Sequence, residues 1–342
     1  MKLLVTGGAG FIGSNFVRHW LTQRSDAEEV VVYDLETYAG NRANLADLGD
    51  AVTFVRADIA DGEAAAAAMA DHGVDTVVNF AAESHNSYAV VDPGRFFRTN
   101  VLGTQALLEA ARRTGIGRFH HISTCEVYGD LALDDPGAFT ESSPYRPRTP
   151  YNASKAGADH AVRAYAETYG LAVTITNCCN NYGPYQFPEK VIPLFTTRAL
   201  DDQPLPLYAS TDHRREWLHV EDHCTAIEAV LDRGRIGHTY NVGSGAELTI
   251  AEVADAVLAA TGKPPELKTI VADRPGHDRR YLLDSTKLRS ELGWQPRVAL
   301  AGGLAAAVGW YADHRAWWEP LRDRAPVLDE GAWAGGDGAG AR

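Results

Sequence analysis

Residues 2–15 read KLLVTGGAGFIGSN. The apolar run at 2–6 is typical of a buried strand, and the residues around and after Gly13 are typical of a helix. Between them, Gly7, Gly10 and Gly13 form the pattern G-x-x-G-x-x-G. Glycine permits the tight turn and lets the backbone approach a pyrophosphate, which then lies on the helix N-terminus. This stretch therefore predicts the first strand, turn and helix of a dinucleotide-binding sheet.

An acidic residue closes the second predicted strand. Asp34 ends the run VVVYD at 30–34 and lies 21 residues after Gly13. At that place a carboxylate can accept a hydrogen bond from the 2′-hydroxyl of an adenosine ribose, and it repels a 2′-phosphate. The sequence therefore predicts NAD rather than NADP as the cofactor. Asp58 and Ile59, after the third predicted strand, are placed to contact the adenine.

Strands and helices alternate along the first half of the chain. Further buried runs occur at 52–57, 75–80, 118–122 and 172–176, and helical stretches at 104–113 and 153–169. Such alternation indicates a parallel sheet with helices on both faces. The predicted fold class is α/β, a Rossmann-like doubly wound parallel sheet with a smaller C-terminal substrate-binding lobe. That lobe would cap the carboxyl ends of the strands, where open α/β sheets bind ligands.

The sequence pattern changes after residue 177, where the chain becomes rich in Pro, Tyr and charges. Residues 250–262 are predicted to be helical, and 263–285 irregular and basic. Residues 326–342 are rich in Gly and Ala and are predicted to be a disordered tail. The predicted domains are an NAD-binding Rossmann domain at 1–177, to which 220–245 contribute, and a substrate-binding lobe at 178–219 and 246–325.

The composition excludes several classes of function. The 342 residues include 45 Asp and Glu against 32 Lys and Arg, a formal net charge of −13. Such acidity disfavours nucleic acid and anionic membrane surfaces as partners. No apolar run approaches the roughly 20 residues that span a membrane, and the chain opens directly into a strand without a signal peptide. The four cysteines form no CxxC pair or zinc spacing, so we expect no metal, free thiols and a cytoplasmic location.

Tyr151 and Lys155 lie at positions i and i+4 of the sequence YNASK, one helical turn apart on the same face. A tyrosine phenol, with an ordinary pKa near about 10, is a poor base at neutral pH. A neighbouring ammonium stabilises the phenolate and lowers that pKa. The pair can then take a proton from a sugar hydroxyl while a hydride leaves the same carbon. Ser123 and Thr124, at the end of the fifth predicted strand, strengthen this interpretation.

Eight sequence blocks connect this chain to one family. They are TGGAGFIGSN, DLETYAGN, NFAAESH, STCEVYG, YNASK, NNYGPYQFPEKVIP, REWLHVEDH and DRPGHDRRY. On these blocks the sequence resembles the extended short-chain dehydrogenase/reductase family, and within it the nucleotide-sugar 4,6-dehydratases of the dTDP-glucose type. The resemblance runs from residue 1 to about 322, and the last four blocks lie in or beyond the predicted catalytic helix.

The resemblance implies an NAD-dependent hydro-lyase acting in three stages. Tyr151 takes the C4 hydroxyl proton as a hydride leaves C4, and Thr124 helps to hold the C4 oxygen. Glu126 then removes the C5 proton while an adjacent acid protonates the departing C6 hydroxyl. The hydride finally returns to C6, giving a 4-keto-6-deoxy sugar. The implied catalytic residues are Thr124, Cys125, Glu126, Tyr151 and Lys155, and the cofactor-binding residues are Gly7, Gly10, Phe11, Ile12, Gly13, Asp34, Asp58, Ile59, Ala81, Tyr151 and Lys155.

The sequence departs from the family at the expected general acid. The usual Thr-Asp-Glu motif reads Thr124-Cys125-Glu126 here. A cysteine thiol, with an ordinary pKa near about 8.5, is mostly protonated at neutral pH and has a proton to give. It is a weaker hydrogen-bond donor than a carboxylic acid. The alternatives are a small apolar filler, or a resemblance to NDP-hexosamine 5,6-dehydratases, which return the hydride to C4 and release an exocyclic 5,6-ene.

A second departure follows His85. The family usually continues Val-Asp-Arg-Ser, whereas this chain continues with the four residues NSYA at 86–89. This loop is expected beside the sugar, so the loss of one acid and one base there bears on which sugar is bound.

Two other functions also stay open: a nucleotide-sugar 4-epimerase, which shares the Tyr, Lys and NAD, and a non-catalytic dinucleotide sensor.

By the same resemblance, a nucleotide-sugar substrate contacts both halves of the chain. Arg215 and Arg274 can each bind a pair of phosphate oxygens through the guanidinium fork, and Tyr208 flanks the base. The family also implies a homodimer, in which the helix carrying Tyr151 and the helix after Asn100 form a four-helix interface. The implied substrate-binding residues are Ser84, His85, Asn180, Asn181, Lys190, Pro206, Tyr208, Arg215, Asn241, Arg274, His277 and Tyr281.

Overall fold

The computed structural model describes residues 1–324. The predicted disordered tail, 326–342, lies outside the described residues. The strands of the described part are β1 (Leu3–Thr6), β2 (Val30–Tyr33), β3 (Val52–Val55), β4 (Thr76–Asn79), β5 (Arg118–Thr124), β6 (Val173–Cys178), β7 (Asn180–Tyr182), β8 (Leu205–Tyr208), β9 (Arg214–His219), β10 (Thr239–Val242), β11 (Glu247–Thr249) and β12 (Lys268–Val271).

The helices connect these strands and cover the sheets. They are α1 (Phe11–Gln23), α2 (Gly62–Asp71), α3 (Asn86–Val91), α4 (Pro93–Phe96), α5 (Thr104–Thr114), α6 (Pro150–Tyr169), α7 (Val191–Leu200), α8 (Val220–Arg233), α9 (Ile250–Thr261), α10 (Thr286–Leu292), α11 (Leu300–Asp313) and α12 (Arg315–Trp318). A π-helical turn, Phe97–Gly103, joins α4 to α5, and a 3₁₀ turn, Cys125–Tyr128, follows β5.

The main sheet has seven parallel strands in the order β10-β6-β5-β4-β1-β2-β3. The strand order reverses between β1 and β4, and such a switch point opens a crevice at the carboxyl ends of the strands. The central strands β1, β2 and β4 are buried along their whole length, as expected for strands covered on both faces. The predicted fold class is therefore confirmed, and the six predicted buried runs coincide with β1 to β6.

Two apolar layers cover the sheet. On one face, Leu4, Val77 and Phe119 pack with α2, α5 and α6, and on the other, Phe16 of α1 and Ile227 of α8 pack on the remaining strand side chains. Each buried aliphatic or aromatic side chain contributes about 1.5–3 kcal/mol of transfer free energy, so these layers hold the carboxyl edge of the sheet in place.

The smaller lobe contains a three-stranded sheet, β11-β9-β7, and a two-stranded sheet, β12-β8. Its core joins α7, α9 and α11 through side chains such as Val253 and Leu304. The helix predicted at 250–262 is confirmed as α9. The prediction of an irregular segment at 263–285 is wrong in part, because Lys268–Val271 pairs with Leu205–Tyr208 as a strand.

Segment 220–245 packs with the N-terminal half, because β10 pairs with β6 at the edge of the main sheet. The division into two domains with the boundaries given above stays a prediction. Within residues 1–324, no helix combines the length and the apolar character that crossing a membrane requires.

Candidate active site

The glycine turn after β1 brings three backbone segments together. Gly7 has a φ of 66°, in the region that favours glycine, and its N–H donates to Tyr33 O (2.9 Å). Gly10 N donates to Gly7 O (3.0 Å). A Cβ atom on Gly13 would lie 2.3 Å from Gly7 O, so only glycine allows α1 to start this close to the turn. The first turn of α1 therefore points its free N–H groups into the crevice.

Asp34 fixes the glycine turn to the end of β2. Its Oδ2 accepts a hydrogen bond from Ala9 N (2.9 Å), and its Oδ1 accepts one from Glu36 N (2.7 Å). Burial raises the pKa of this carboxyl, and the two backbone donors oppose that shift. A carboxylate held in this way is placed at the mouth of the crevice, where the sequence predicts contact with a ribose.

A cleft of about 560 Å³ runs along the carboxyl ends of the main strands. Its size and elongated lining suit an extended dinucleotide, since ligand pockets generally span about 300–1,000 Å³. The glycine turn follows β1 and Asp34 follows β2, whereas Lys155 donates to Ile122 O of β5, on the other side of the switch point. The cleft lining includes every residue predicted to bind the cofactor: Gly7, Gly10, Phe11, Ile12, Gly13, Asp34, Asp58, Ile59, Ala81, Tyr151 and Lys155.

Helix α6 presents Tyr151 and Lys155 to the cleft from one face. Lys155 Nζ donates to Ile122 O (2.7 Å) and lies 3.4 Å from His121 Nε2. Burial raises the pKa of the Tyr151 phenol well above its usual value, and a hydrogen bond with Thr124 opposes the shift. The expected lowering of the phenol pKa by Lys155 is thus not seen, because burial dominates and the ammonium is directed to a carbonyl.

A buried polar network that the sequence analysis missed supports Lys155. Asp159 lies one turn further along α6, and its Oδ1 is 3.5 Å from His121 Nε2. Its Oδ2 accepts hydrogen bonds from Ser123 Oγ (2.9 Å) and Tyr145 Oη (2.7 Å). Burial lowers the pKa of Lys155, and the negative charge of Asp159 opposes that shift. The i, i+4 spacing of Lys155 and Asp159 was the available signal.

Glu126 and Thr124 face the cleft at the end of β5. Asn86 Nδ2 donates to Glu126 Oε2 (2.9 Å). Burial, and then the charge of Asp278, raise the pKa of the Glu126 carboxyl above its usual value. A carboxylate that faces the cleft and has a raised pKa is suited to accept a proton from a bound substrate.

Cys125 occupies a different environment from its two neighbours in the motif. Its side chain is 1% exposed and packs in an apolar cluster with Cys178, Cys179 and Leu218. It is not among the residues that line the cleft. Burial raises the pKa of the thiol well above its usual value, so the thiol is protonated. The same cluster contains Tyr281 and Leu283, so Cys125 packs against residues of the smaller lobe.

The predicted substrate residues divide into two groups. Ser84, Asn180, Asn181 and Lys190 line the far end of the cleft, where Lys190 Nζ donates to Ser84 O (2.9 Å). The others lie outside the cleft lining. We call five of them the sugar-side cluster: Tyr208, Arg215, Arg274, His277 and Tyr281.

Two ring contacts occur within the sugar-side cluster. The Arg215 guanidinium lies 4.6 Å from the Tyr281 ring centroid and donates to Asp278 O (2.7 Å). The His277 and Tyr208 rings are 5.1 Å apart, with Pro206 two residues before Tyr208 on β8.

Two other predicted substrate residues have distinct surroundings. Asn241 is fully buried, and its Oδ1 accepts a hydrogen bond from Tyr128 Oη (2.8 Å). Its amide therefore bonds within the protein. His85 stacks on Tyr88 with ring centroids 4.1 Å apart. Burial, and then the charges of Lys190 and Arg274, lower the pKa of His85. The imidazole is therefore neutral.

The sequence model of the GDP-mannose 4,6 dehydratase family matches residues 4–306 of this chain. Among curated proteins, dTDP-glucose 4,6-dehydratase of Streptomyces niveus is 51% identical over 327 residues, which cover 94% of this chain and 96% of the relative. dTDP-glucose 4,6-dehydratase of Mycobacterium tuberculosis is 48% identical over 324 residues, with 94% and 97% covered.

Solved structures agree with these matches. A dTDP-glucose 4,6-dehydratase from Streptomyces venezuelae, solved with NAD bound, superposes with a TM-score of 0.90 at 52% identity, covering 94% of this chain and 100% of that one. A UDP-glucose 4-epimerase from Thermus thermophilus in complex with NAD has a TM-score of 0.85 at 34% identity, covering 92% and 100%. Both reactions are thus found on this fold, and identity is higher for the dehydratase.

Proposed function

The chain belongs to the GDP-mannose 4,6-dehydratase family of extended short-chain dehydrogenases/reductases, and from this premise we propose that it acts on a dTDP-hexose of the glucose type. It is an NAD-dependent nucleotide-sugar 4,6-dehydratase, a hydro-lyase. The product is then a 4-keto-6-deoxy sugar nucleotide. The observation that carries the proposal is one cleft that holds Thr124, Glu126, Tyr151 and Lys155 together with the glycine turn.

The residues of the cleft suit the cofactor and the first proton transfer. The free N–H groups of α1 and the Asp34 carboxylate would hold NAD, which when bound supplies the hydride acceptor at C4 and the later hydride donor. Tyr151 accepts the C4 hydroxyl proton, and Thr124 holds the C4 oxygen. The negative charge of Asp159 opposes the loss of the Lys155 proton, and the ammonium form of Lys155 would favour the phenolate of Tyr151 electrostatically.

Elimination then uses Glu126 as the base and Cys125 as the acid. Glu126 faces the cleft and removes the C5 proton, which the adjacent 4-keto group acidifies. The buried Cys125 thiol is protonated and packs in one cluster with Tyr281, so the proposal assigns it the proton for the C6 hydroxyl. Protonation of the C6 hydroxyl releases water and leaves a 4-keto-5,6-ene, to which hydride and proton are added at C6 and C5.

One experiment tests the reaction. Purified protein is incubated with dTDP-, UDP-, GDP- and CDP-hexoses, and the products are identified by mass and NMR. We expect loss of one water from a dTDP-hexose and a methyl group at C5 of the product. An unchanged mass with inversion at C4 would show a 4-epimerase instead.

We also propose a homodimer through α5, α6 and the π-helical turn. The turn exposes Phe97 (42%) and Leu102 (59%), and Tyr169 at the end of α6 is 55% exposed. Large exposed apolar side chains near one another favour an interface. Light scattering at micromolar concentration should give twice the 37.0 kDa mass of the chain.

A cytoplasmic location is proposed on the state of the cysteines. Cys125, Cys178, Cys179 and Cys224 are all free thiols. Free thiols persist in a reducing compartment and are less common in secreted proteins. Fractionation of the source cells with an assay for the dehydratase would test this location.

A further inference from the structure

One amide side chain joins three parts of the active site. Asn86 is the first residue of α3, which follows β4. Its Nδ2 donates to Glu126 Oε2 (2.9 Å), at the end of β5. Its Oδ1 accepts a hydrogen bond from Thr149 Oγ1 (2.9 Å), immediately before α6. The expected base and the helix that carries Tyr151 are therefore connected through Asn86.

The Thr149 hydroxyl fixes which way this amide points. Thr149 is the N-cap of α6, and its Oγ1 accepts the hydrogen bond from Asn152 N (3.2 Å). The hydroxyl hydrogen is then free to donate to Asn86 Oδ1. With its carbonyl oxygen occupied, the amide turns its NH₂ group toward Glu126, which as a carboxylate can only accept.

Glu126 otherwise lies in surroundings that oppose its charge. Burial and Asp278 raise the pKa of its carboxyl, while the Asn86 hydrogen bond and the charges of Arg274 and Arg215 lower it. Of the influences that lower it, the hydrogen bond from Asn86 is the largest. The ionisable groups that interact with Glu126 are Asp278, Arg274, Arg215, Tyr151, Tyr281, Cys125 and Cys178.

We propose that Asn86 is a positioning residue, which orients the Glu126 carboxylate through its hydrogen bond for removal of the proton from carbon 5. The inference rests on the proposed function, because it concerns the base of the elimination. It gives a role to the departure from the family at residues 86–89: a valine at position 86 could neither donate to Glu126 nor accept from Thr149.

The test isolates Glu126 from the redox steps. The 4-keto-6-deoxy product is incubated with the enzyme in D₂O, and loss of the proton at C5 is followed by NMR. Glu126 takes the C5 proton, the electron pair of that bond enters the enolate of the 4-keto group, and a deuteron returns to C5 from solvent-exchanged Glu126. Exchange requires the carboxylate, so its rate rises with pH through the pKa of Glu126.

Asn86→Val should move this rise to higher pH by about one unit and lower the plateau rate, because a hydrogen bond to a charged group is lost. Asn86→Asp should move it further, because a second negative charge would stand beside Glu126. The expected order of the apparent pKa is therefore wild type, then Val, then Asp. The NAD content of the purified variants should equal that of the wild type.

Asn177→Val is the matched control. This buried amide donates to Tyr128 Oη (2.8 Å) and Tyr145 Oη (3.2 Å) and not to Glu126, so its loss should leave the pH of the rise unchanged. Equal pH profiles for Asn86→Val and the wild type would overturn the inference while leaving dehydration intact. A wild-type protein that dehydrates no hexose nucleotide would instead overturn the proposed function.

Discussion

The cofactor cleft and the sugar-side cluster differ in how their polar groups are used. In the cleft, the glycine turn, Asp34 and Tyr151 border a space of about 560 Å³. In the sugar-side cluster, the Arg215 guanidinium already donates to the backbone carbonyl oxygens of Arg214, Asp278 and Arg279. The first region is formed before a ligand arrives, whereas a ligand at the second must compete with protein hydrogen bonds.

This difference predicts where variants act. Residues of the cleft should affect cofactor binding and every chemical stage that follows. Residues of the sugar-side cluster should affect the substrate while leaving NAD bound. Each of the following predictions tests that separation.

The largest effect is expected at Tyr151, because its phenol begins the reaction. Tyr151→Phe removes the proton acceptor and should lower turnover by at least about 10²–10⁴-fold, the usual contribution of one positioned acid or base. Neither reduced cofactor nor dehydrated sugar should form. Near-ultraviolet absorbance detects the reduced cofactor, and product mass detects the dehydrated sugar. Unchanged turnover would remove Tyr151 from the mechanism and with it the role of the cleft.

Cys125 does not line the cleft and packs in one cluster with Tyr281, so its loss should stop one stage only. Cys125→Ala should slow departure of the C6 hydroxyl by about 10²–10⁴-fold and leave C4 oxidation intact, so that reduced cofactor accumulates. Cys125→Asp, which restores the usual acid of the family, should retain elimination. Wild-type kinetics in Cys125→Ala would show that the buried thiol only packs.

Deuterium at C4 of the substrate decides what Cys125 does to the outcome. Label that arrives at C6 supports 4,6-dehydration, which we expect. Label retained at C4 in a dehydrated product would show a 5,6-dehydratase, and a shift toward C6 labelling in Cys125→Asp would then assign that change to the thiol.

The cleft could be predicted from sequence because its signals are local. A strand, a glycine turn and a helix are adjacent in the chain, and Asp34 ends the next strand, so the doubly wound sheet brings them together. The surroundings of Glu126 could not be predicted, because Asn86 and Asp278 act on it from distant segments, and Thr149 in turn donates to Asn86. The raised pKa of Tyr151 was also missed, since burial depends on the packing of the whole site.

A smaller effect is expected at Asp34, which belongs to the cleft alone. Asp34→Ala should weaken the binding of NAD by about 10–100-fold, because a hydrogen bond to a charged group is lost. The variant should also discriminate less against NADP. Because Asp34 also accepts from Ala9 N and Glu36 N, part of the loss will apply to both cofactors. Asp34→Asn, which keeps one acceptor without the charge, separates the two effects in calorimetric titrations. Tighter binding of NADP than NAD by the wild type would contradict the role of Asp34.

The smallest effect is expected at Arg274, which tests the sugar-side cluster alone. Its side chain is buried, yet its contact with the protein is a long one, Nη1 to Pro275 O at 3.5 Å. Arg274 is therefore freer than Arg215 to bind a phosphate, and less of the fold depends on it.

Arg274→Gln should raise the KM for the nucleotide sugar about tenfold and leave the Kd of NAD unchanged, since one charged contact is lost. Arg215→Gln, the matched variant, should raise KM too but also lower the Tm, because three backbone carbonyls lose their donor. If Arg274→Gln weakened the binding of NAD as much as that of the sugar, the separation of the two regions would be contradicted. A local change at the sugar-side cluster is not expected to alter the glycine turn.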